Sequence, residues 1–78
     1  MNNRLFEYRD ETYQLMVEKM NSAHCLVRVE NAALRVVGVY QARAILSEGI
    51  AEISGGEPRD VASAISAAGY PARVVANT

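Results

Sequence analysis

Lys19-Met20-Asn21-Ser22-Ala23-His24-Cys25 is the point at which the hydrophobic period of the chain changes. Upstream, Tyr13, Leu15 and Val17 alternate with Gln14, Met16 and Glu18, the period-two pattern of a strand with one apolar face. Downstream, Cys25, Val29, Ala32 and Val36 recur at i, i+4, i+7 and i+11, and Leu26 and Ala33 widen the stripe. That spacing predicts an amphipathic helix from Ala23 to near Val37, with Gly38 as its stop. The quoted stretch is therefore a strand-to-helix loop. It also carries the only histidine and the only cysteine of the chain, side by side. Ser22 suits the N-cap, where its hydroxyl can accept from the N–H of His24 or Cys25. Free N–H groups at a helix start favour a thiolate, so Cys25 is expected to ionise below the ordinary thiol value of ~8.5.

The remaining chain completes the pattern. Val39 to Leu46 reads as a strand with Ala42, Ala44 and Leu46 on one face, and Ser47-Glu48-Gly49 as a turn. Ile50 to Ser54 is a short strand with Ala51 and Ile53 inward, close enough to form a hairpin with the preceding one. Gly55-Gly56-Glu57-Pro58 leads into a second helix, which Pro58 and Asp60 favour at its first turn. Val61, Ala64, Ile65 and Ala68 form its buried stripe, Gly69 ends it, and Ala72 to Val75 is a last strand. The order β-α-β-β-α-β with short connections defines an α+β class, the ferredoxin-like sandwich: a four-stranded antiparallel sheet with two helices on one face. Residues 1–11 are polar and read as a lead-in; residues 12–76 form the domain.

Composition narrows the function. The chain has 78 residues, half of them hydrophobic, enough for one core and against disorder. Eight basic and nine acidic residues leave a net charge of −1, and the arginines are spread along the chain, so no nucleic-acid footprint is present. One cysteine excludes an internal disulfide. No run approaches the ~20 apolar residues of a membrane span, and residues 1–11 lack a signal-peptide pattern, so a cytoplasmic location is expected. No Ser-His-Asp set, glycine-rich phosphate loop or spaced carboxylate pair appears, and no enzymatic activity is expected.

The loop resembles the signature of the heavy-metal-associated domain family, Gly-Met-Thr-Cys-x-x-Cys, whose two cysteines bind the metal. Met20 matches the Met and Cys25 the second Cys; Ser22 stands at the first Cys, Lys19 at the Gly and Asn21 at the Thr. Val29-Glu30 and Ala32 fit the family helix, Val37-Gly38-Val39 its Pro-Gly-Val, and Ala68-Gly69-Tyr70 its late Ala-Gly-Tyr. The resemblance runs from about Thr12 to Val75 and implies the same fold. It further implies a soft-metal binding and transfer domain with a weakened site, acting as a chaperone or as the N-terminal domain of a metal-exporting P-type ATPase. Cu(I) is the leading ion, with Hg(II), Zn(II) and Cd(II) as further candidates. Met20 is expected to pack beneath the loop, and Tyr70 to lie near the metal.

The candidate ligands are Cys25, His24 and Ser22. A thiolate suits soft ions, an imidazole suits copper and zinc, and a neutral hydroxyl is a poor soft-metal donor. Adjacent helical residues point about 100° apart, so His24 joins Cys25 only if it keeps a loop conformation. A second donor could instead come from a small thiol or from Cys25 of another copy, giving a metal-bridged homodimer. Donor or acceptor proteins are the expected partners. The alternative is a degenerate domain of the same fold that binds no metal and serves protein contact or regulation; Lys19, a positive charge beside the loop, speaks for it.

Overall fold

The computed structural model describes residues 12–75; the lead-in expected at residues 1–11 lies outside them. The elements follow the expected order: β1 (Thr12–Val17), α1 (Ala23–Leu34), β2 (Val39–Ile45), β3 (Ile50–Gly55), α2 (Pro58–Ala67) and β4 (Ala72–Val74). The four strands form one antiparallel sheet in the order β2-β3-β1-β4. Tyr13, Leu15 and Val17 point to the core, as their alternation predicts, and Leu15 lies opposite Ala51 on β3 and Val74 on β4.

The helices pack against each other and against the same side of the sheet, α1 over β2 and α2 over β4. Leu15, Ile53, Val29, Val61 and Ile65 are the largest fully buried side chains. Each such side chain contributes about 1.5–3 kcal/mol through removal from water. Ala32 and Ala33 are also buried on α1, where small side chains allow a close approach. The far face of the sheet is polar: Gln14 Nε2 donates to Glu52 Oε2 at 3.3 Å, and Arg73 reaches Met16 Sδ at 3.5 Å. At the edge of the sheet, Glu30 of α1 accepts the Ala44 N–H of β2 at 2.8 Å.

Four boundaries differ from the sequence expectation: β3 runs on to Gly55, β4 ends at Val74, and the first helix and second strand both stop early. The first helix stops at Leu34 rather than near Val37. Arg35 N–H bonds Ala32 O at 3.3 Å and Val36 N–H bonds Ala33 O at 3.1 Å, i→i−3 bonds that tighten and end the helix. Val37 is 92% exposed, so no burial holds a further turn. The second strand stops at Ile45, because Leu46 opens a 3₁₀ turn (Leu46–Glu48) closed by left-handed Gly49. Leu46 still packs against the core.

Two glycines have different reasons for being glycine. Gly55 has φ +86, and a Cβ there would collide with Gly38 O and lie 2.8 Å from the Tyr40 ring. Its carbonyl also accepts the Tyr13 hydroxyl at 2.7 Å; burial, and then the charge of Glu57, push that phenol up to about 12. Gly69 has φ +106 with nothing within 4 Å of a Cβ. It ends α2 in a Schellman motif, with Gly69 N–H on Ser66 O at 3.0 Å and Tyr70 N–H on Ile65 O at 3.3 Å. Gly69→Ala is therefore expected to cost about 1–2 kcal/mol, from backbone conformation alone. Gly55→Ala adds a backbone collision and is expected to cost clearly more in chemical denaturation; equal losses would contradict this account.

Candidate functional site

The loop between β1 and α1 is anchored at both ends. Val17 N–H bonds Gly49 O and Glu18 N–H bonds Pro71 O, each at 2.8 Å, which ties the loop entrance to the β2–β3 turn and to the turn after α2. Lys19 then takes φ +71, the left-handed region that glycine enters without cost. Met20 is buried beneath the loop, as expected. Ser22 is extended (φ −156) and caps α1, its Oγ accepting the Cys25 N–H at 3.3 Å. Its carbonyl takes the first helical bond, from Leu26 N–H at 3.0 Å.

The same hydroxyl faces the thiol. Ser22 Oγ donates to Cys25 Sγ at 3.5 Å, the thiol donates to Asn21 Oδ1 at 3.7 Å, and the Tyr70 hydroxyl is near enough to lower the thiol's pKa. Tyr70 is a buried side chain, 9% exposed, which the Schellman turn holds in place. Cys25 itself is half-buried, its side chain touching the core at one side. Its pKa falls from 9.0 to about 7, mainly through the Ser22 hydroxyl, then through the Tyr70 hydroxyl and the Asn21 backbone, with burial opposing. The Ser22 and Tyr70 hydroxyls are thus the two largest influences that favour the thiolate. Conversely the Tyr70 hydroxyl is pushed up, first by its bond to Cys25, then by burial and the Cys25 charge, with Arg28 acting the other way.

Of the three candidate ligands, the structure brings Ser22 and Cys25 together. His24 is inside the helix, one residue before Cys25, and exposed. It lines an open cleft of about 280 Å³ with Arg28, Asn31, Ala32, Arg35 and Ala68, while the thiol's partners are Asn21, Ser22 and Tyr70. No group of three His, Cys, Asp or Glu side chains that could hold a metal exists among the described residues. The donor set is one soft sulfur flanked by hard hydroxyls. That chemistry fits a two-coordinate soft ion sharing an external ligand and does not fit a closed four-ligand zinc cage. Asn21 and Arg28 escaped the sequence reading, although Arg28, at i+3 from Cys25 and i+4 from His24, is a helix-surface neighbour of both.

A βαββαβ sandwich with a capped, thiol-bearing β1–α1 loop is the architecture of a small metal-loop domain, and the comparisons with known proteins agree. No protein-family model matches the chain. It is 33% identical over 76 residues to a copper-exporting P-type ATPase of Vibrio cholerae serotype O1 (strain ATCC 39315 / El Tor Inaba N16961). The match covers 95% of this chain and 8% of that protein's length. The N-terminal domain of PacS from Synechocystis PCC6803 superposes with a TM-score of 0.79 at 32% identity, over 83% of this chain and 97% of that one. A copper binding domain from HMA7, a P-type ATPase, gives 0.81 at 28% identity, over 85% and 95% of the two chains. The chain belongs to the heavy-metal-associated domain family. No helix among the described residues is long and apolar enough to cross a membrane.

Four consequences are measurable. Alkylation of Cys25 by iodoacetamide is expected to rise with pH around a midpoint of about 7. Ser22→Ala moves that midpoint up toward 9.0 and costs about 1 kcal/mol of helix capping; an unchanged midpoint removes the assigned role of the hydroxyl. Because the folded thiol is more acidic than the ordinary one, its stabilisation is fully present above 9.0 and is lost as pH falls through about 7. Lys19→Gly, which relieves the left-handed φ, is expected to change stability by about +1 kcal/mol in thermal or denaturant unfolding; a loss of that size contradicts the assigned strain.

Proposed function

We propose that this domain binds a soft metal ion, Cu(I) foremost, through the Cys25 thiolate and passes it on by ligand exchange. The observation that carries the reading is the position of Cys25: a reachable sulfur with a lowered pKa, at the second cysteine of the family loop. Residues 12–76 would carry the activity as a metal chaperone or as the N-terminal domain of a metal-exporting ATPase, in the cytoplasm. The domain acts as a carrier and not as a catalyst. Its partners are metal-donor or metal-acceptor proteins.

Cys25 supplies one of the two sulfurs that a linear Cu(I) ion takes. Ser22 keeps its hydrogen bonds to Cys25 and stays off the metal, since a neutral hydroxyl competes poorly for a soft ion. The site is therefore weaker than a two-cysteine one and needs a second donor from outside the loop. His24, turned toward the α1–α2 cleft, is the minor candidate. A second copy's Cys25 would bridge two molecules through one ion. In transfer, the incoming partner sulfur adds to the ion before Cys25 leaves it.

Cu(I) titration against a competing chelator under reducing conditions tests this. The wild-type domain binds, Cys25→Ala loses binding, and Ser22→Cys gains at least about 100-fold by restoring a chelating sulfur pair. Identical titrations for wild type and Cys25→Ala would defeat the reading and favour the metal-free interaction domain.

A further inference from the structure

His24, Arg28, Asn31 and Arg35 recur every three or four residues and so share one stripe of α1 and its C-cap. Arg28 and Arg35 stand two turns apart, about 10.5 Å along the axis. Ala32 and, just past α2, Ala68 complete the lining of an open cleft of about 280 Å³. Ala32 follows Arg28 by four residues and precedes Arg35 by three, so its buried methyl lies between the two arginine stems. Ala68 is half-buried on the other wall. The cleft therefore has an apolar middle and a guanidinium toward each end.

The two arginines have no evident structural employment. A helix pairs an arginine with a carboxylate three or four residues away. Around Arg28 those positions hold His24, Cys25, Asn31 and Ala32; around Arg35 they hold Asn31, Ala32, Gly38 and Val39. Glu30, the one carboxylate of α1, lies about 200° round the helix from Arg28 and accepts the Ala44 N–H of β2. No carboxylate lines the cleft, and none of the described residues supplies one to either guanidinium, in a chain whose net charge is −1.

We propose that the α1–α2 cleft binds a compact aliphatic dicarboxylate, one carboxylate on Arg28, the other on Arg35, and the methylenes over Ala32 and Ala68. Each guanidinium fork matches one carboxylate bidentately. The Asn31 carboxamide and the His24 imidazole add donors along the same stripe. The volume, near the lower end for small-molecule pockets, suits a ligand of a few carbons. A single tetrahedral oxyanion reaches one fork at a time across this spacing and leaves the methyl middle uncovered. The thiol of Cys25 is not part of the lining, so the site is separate from the metal reading and does not depend on it.

The test is a titration of the isotope-labelled domain with succinate at fixed ionic strength, followed by amide NMR. Saturable shifts are expected at residues 24–35 and 68. Succinate is expected to bind about tenfold tighter than butyrate, which has the same length and one carboxylate. Inorganic phosphate binds more weakly than succinate, and the succinate preference narrows as salt rises. Arg28→Gln and Arg35→Gln each bring succinate down to the level of butyrate, while unmoved sheet amides report that the variants are folded. Arg43→Gln removes the same charge from exposed β2 and leaves succinate binding unchanged, as does Cys25→Ala. Absence of saturable shifts with succinate overturns the proposal. So does equal affinity for succinate and butyrate, phosphate binding as tightly as succinate, or an Arg43→Gln loss as large as that of Arg28→Gln, which would reduce the effect to overall charge.

Discussion

Ser22 Oγ accepts the backbone N–H of Cys25 and donates to its sulfur, so one hydroxyl both starts α1 and conditions the thiol in its first turn. Everything at this end of the molecule is organised around that pair. The loop must place Ser22 in an extended conformation, which fixes the path from Val17 through left-handed Lys19. The turn after α2 must bring Tyr70 to the same sulfur, which the Gly69 motif accomplishes. Asn21 and Ser22 of the loop reach the sulfur, and Tyr70, from the turn after α2, lowers its pKa.

The arrangement gives a serine in the first metal-motif position a positive role. A hydroxyl is a poor partner for a soft cation and a good one for a thiolate. In the proposed site, serine at the first motif position gives up a ligand, and its hydroxyl lowers the pKa of Cys25. That proposed site holds its single donor in readiness and leaves the rest of the coordination to whatever arrives with the ion.

Most of the fold was legible because periodicity reports burial directly. The alternation of Tyr13, Leu15 and Val17 maps onto buried side chains, and of the expected helix stripes Val29, Ala32, Val61 and Ile65 are buried while Cys25, Val36, Ala64 and Ala68 are half-buried. The end of α1 was not, since Val36 and Val37 continue an apolar run; only the tightened i→i−3 bonds and the exposure of Val37 reveal that the run leaves the helix. Leu46 likewise keeps its inward contact while its backbone leaves the strand. At the site, the capping role of Ser22 followed from residue type and position, and the approach of Tyr70 from the resemblance. The contact of the Tyr70 hydroxyl with the sulfur depends on how far α2 reaches, and local sequence does not encode that distance. The cleft was hidden for the same reason: the arginines of α1 look like ordinary solvated charge until Ala68 from another helix closes the opposite wall.

The bond from Ala44 N–H to Glu30 bears on how copies of this domain can meet. β2 is an outer strand, and its outward N–H groups are the natural foothold for a strand from another molecule. Glu30 fills one of those positions with a charged oxygen that an approaching backbone cannot displace without stranding the carboxylate. One pairing position on that border is thereby closed to ribbon-to-ribbon growth, while β4 forms the sheet's other border.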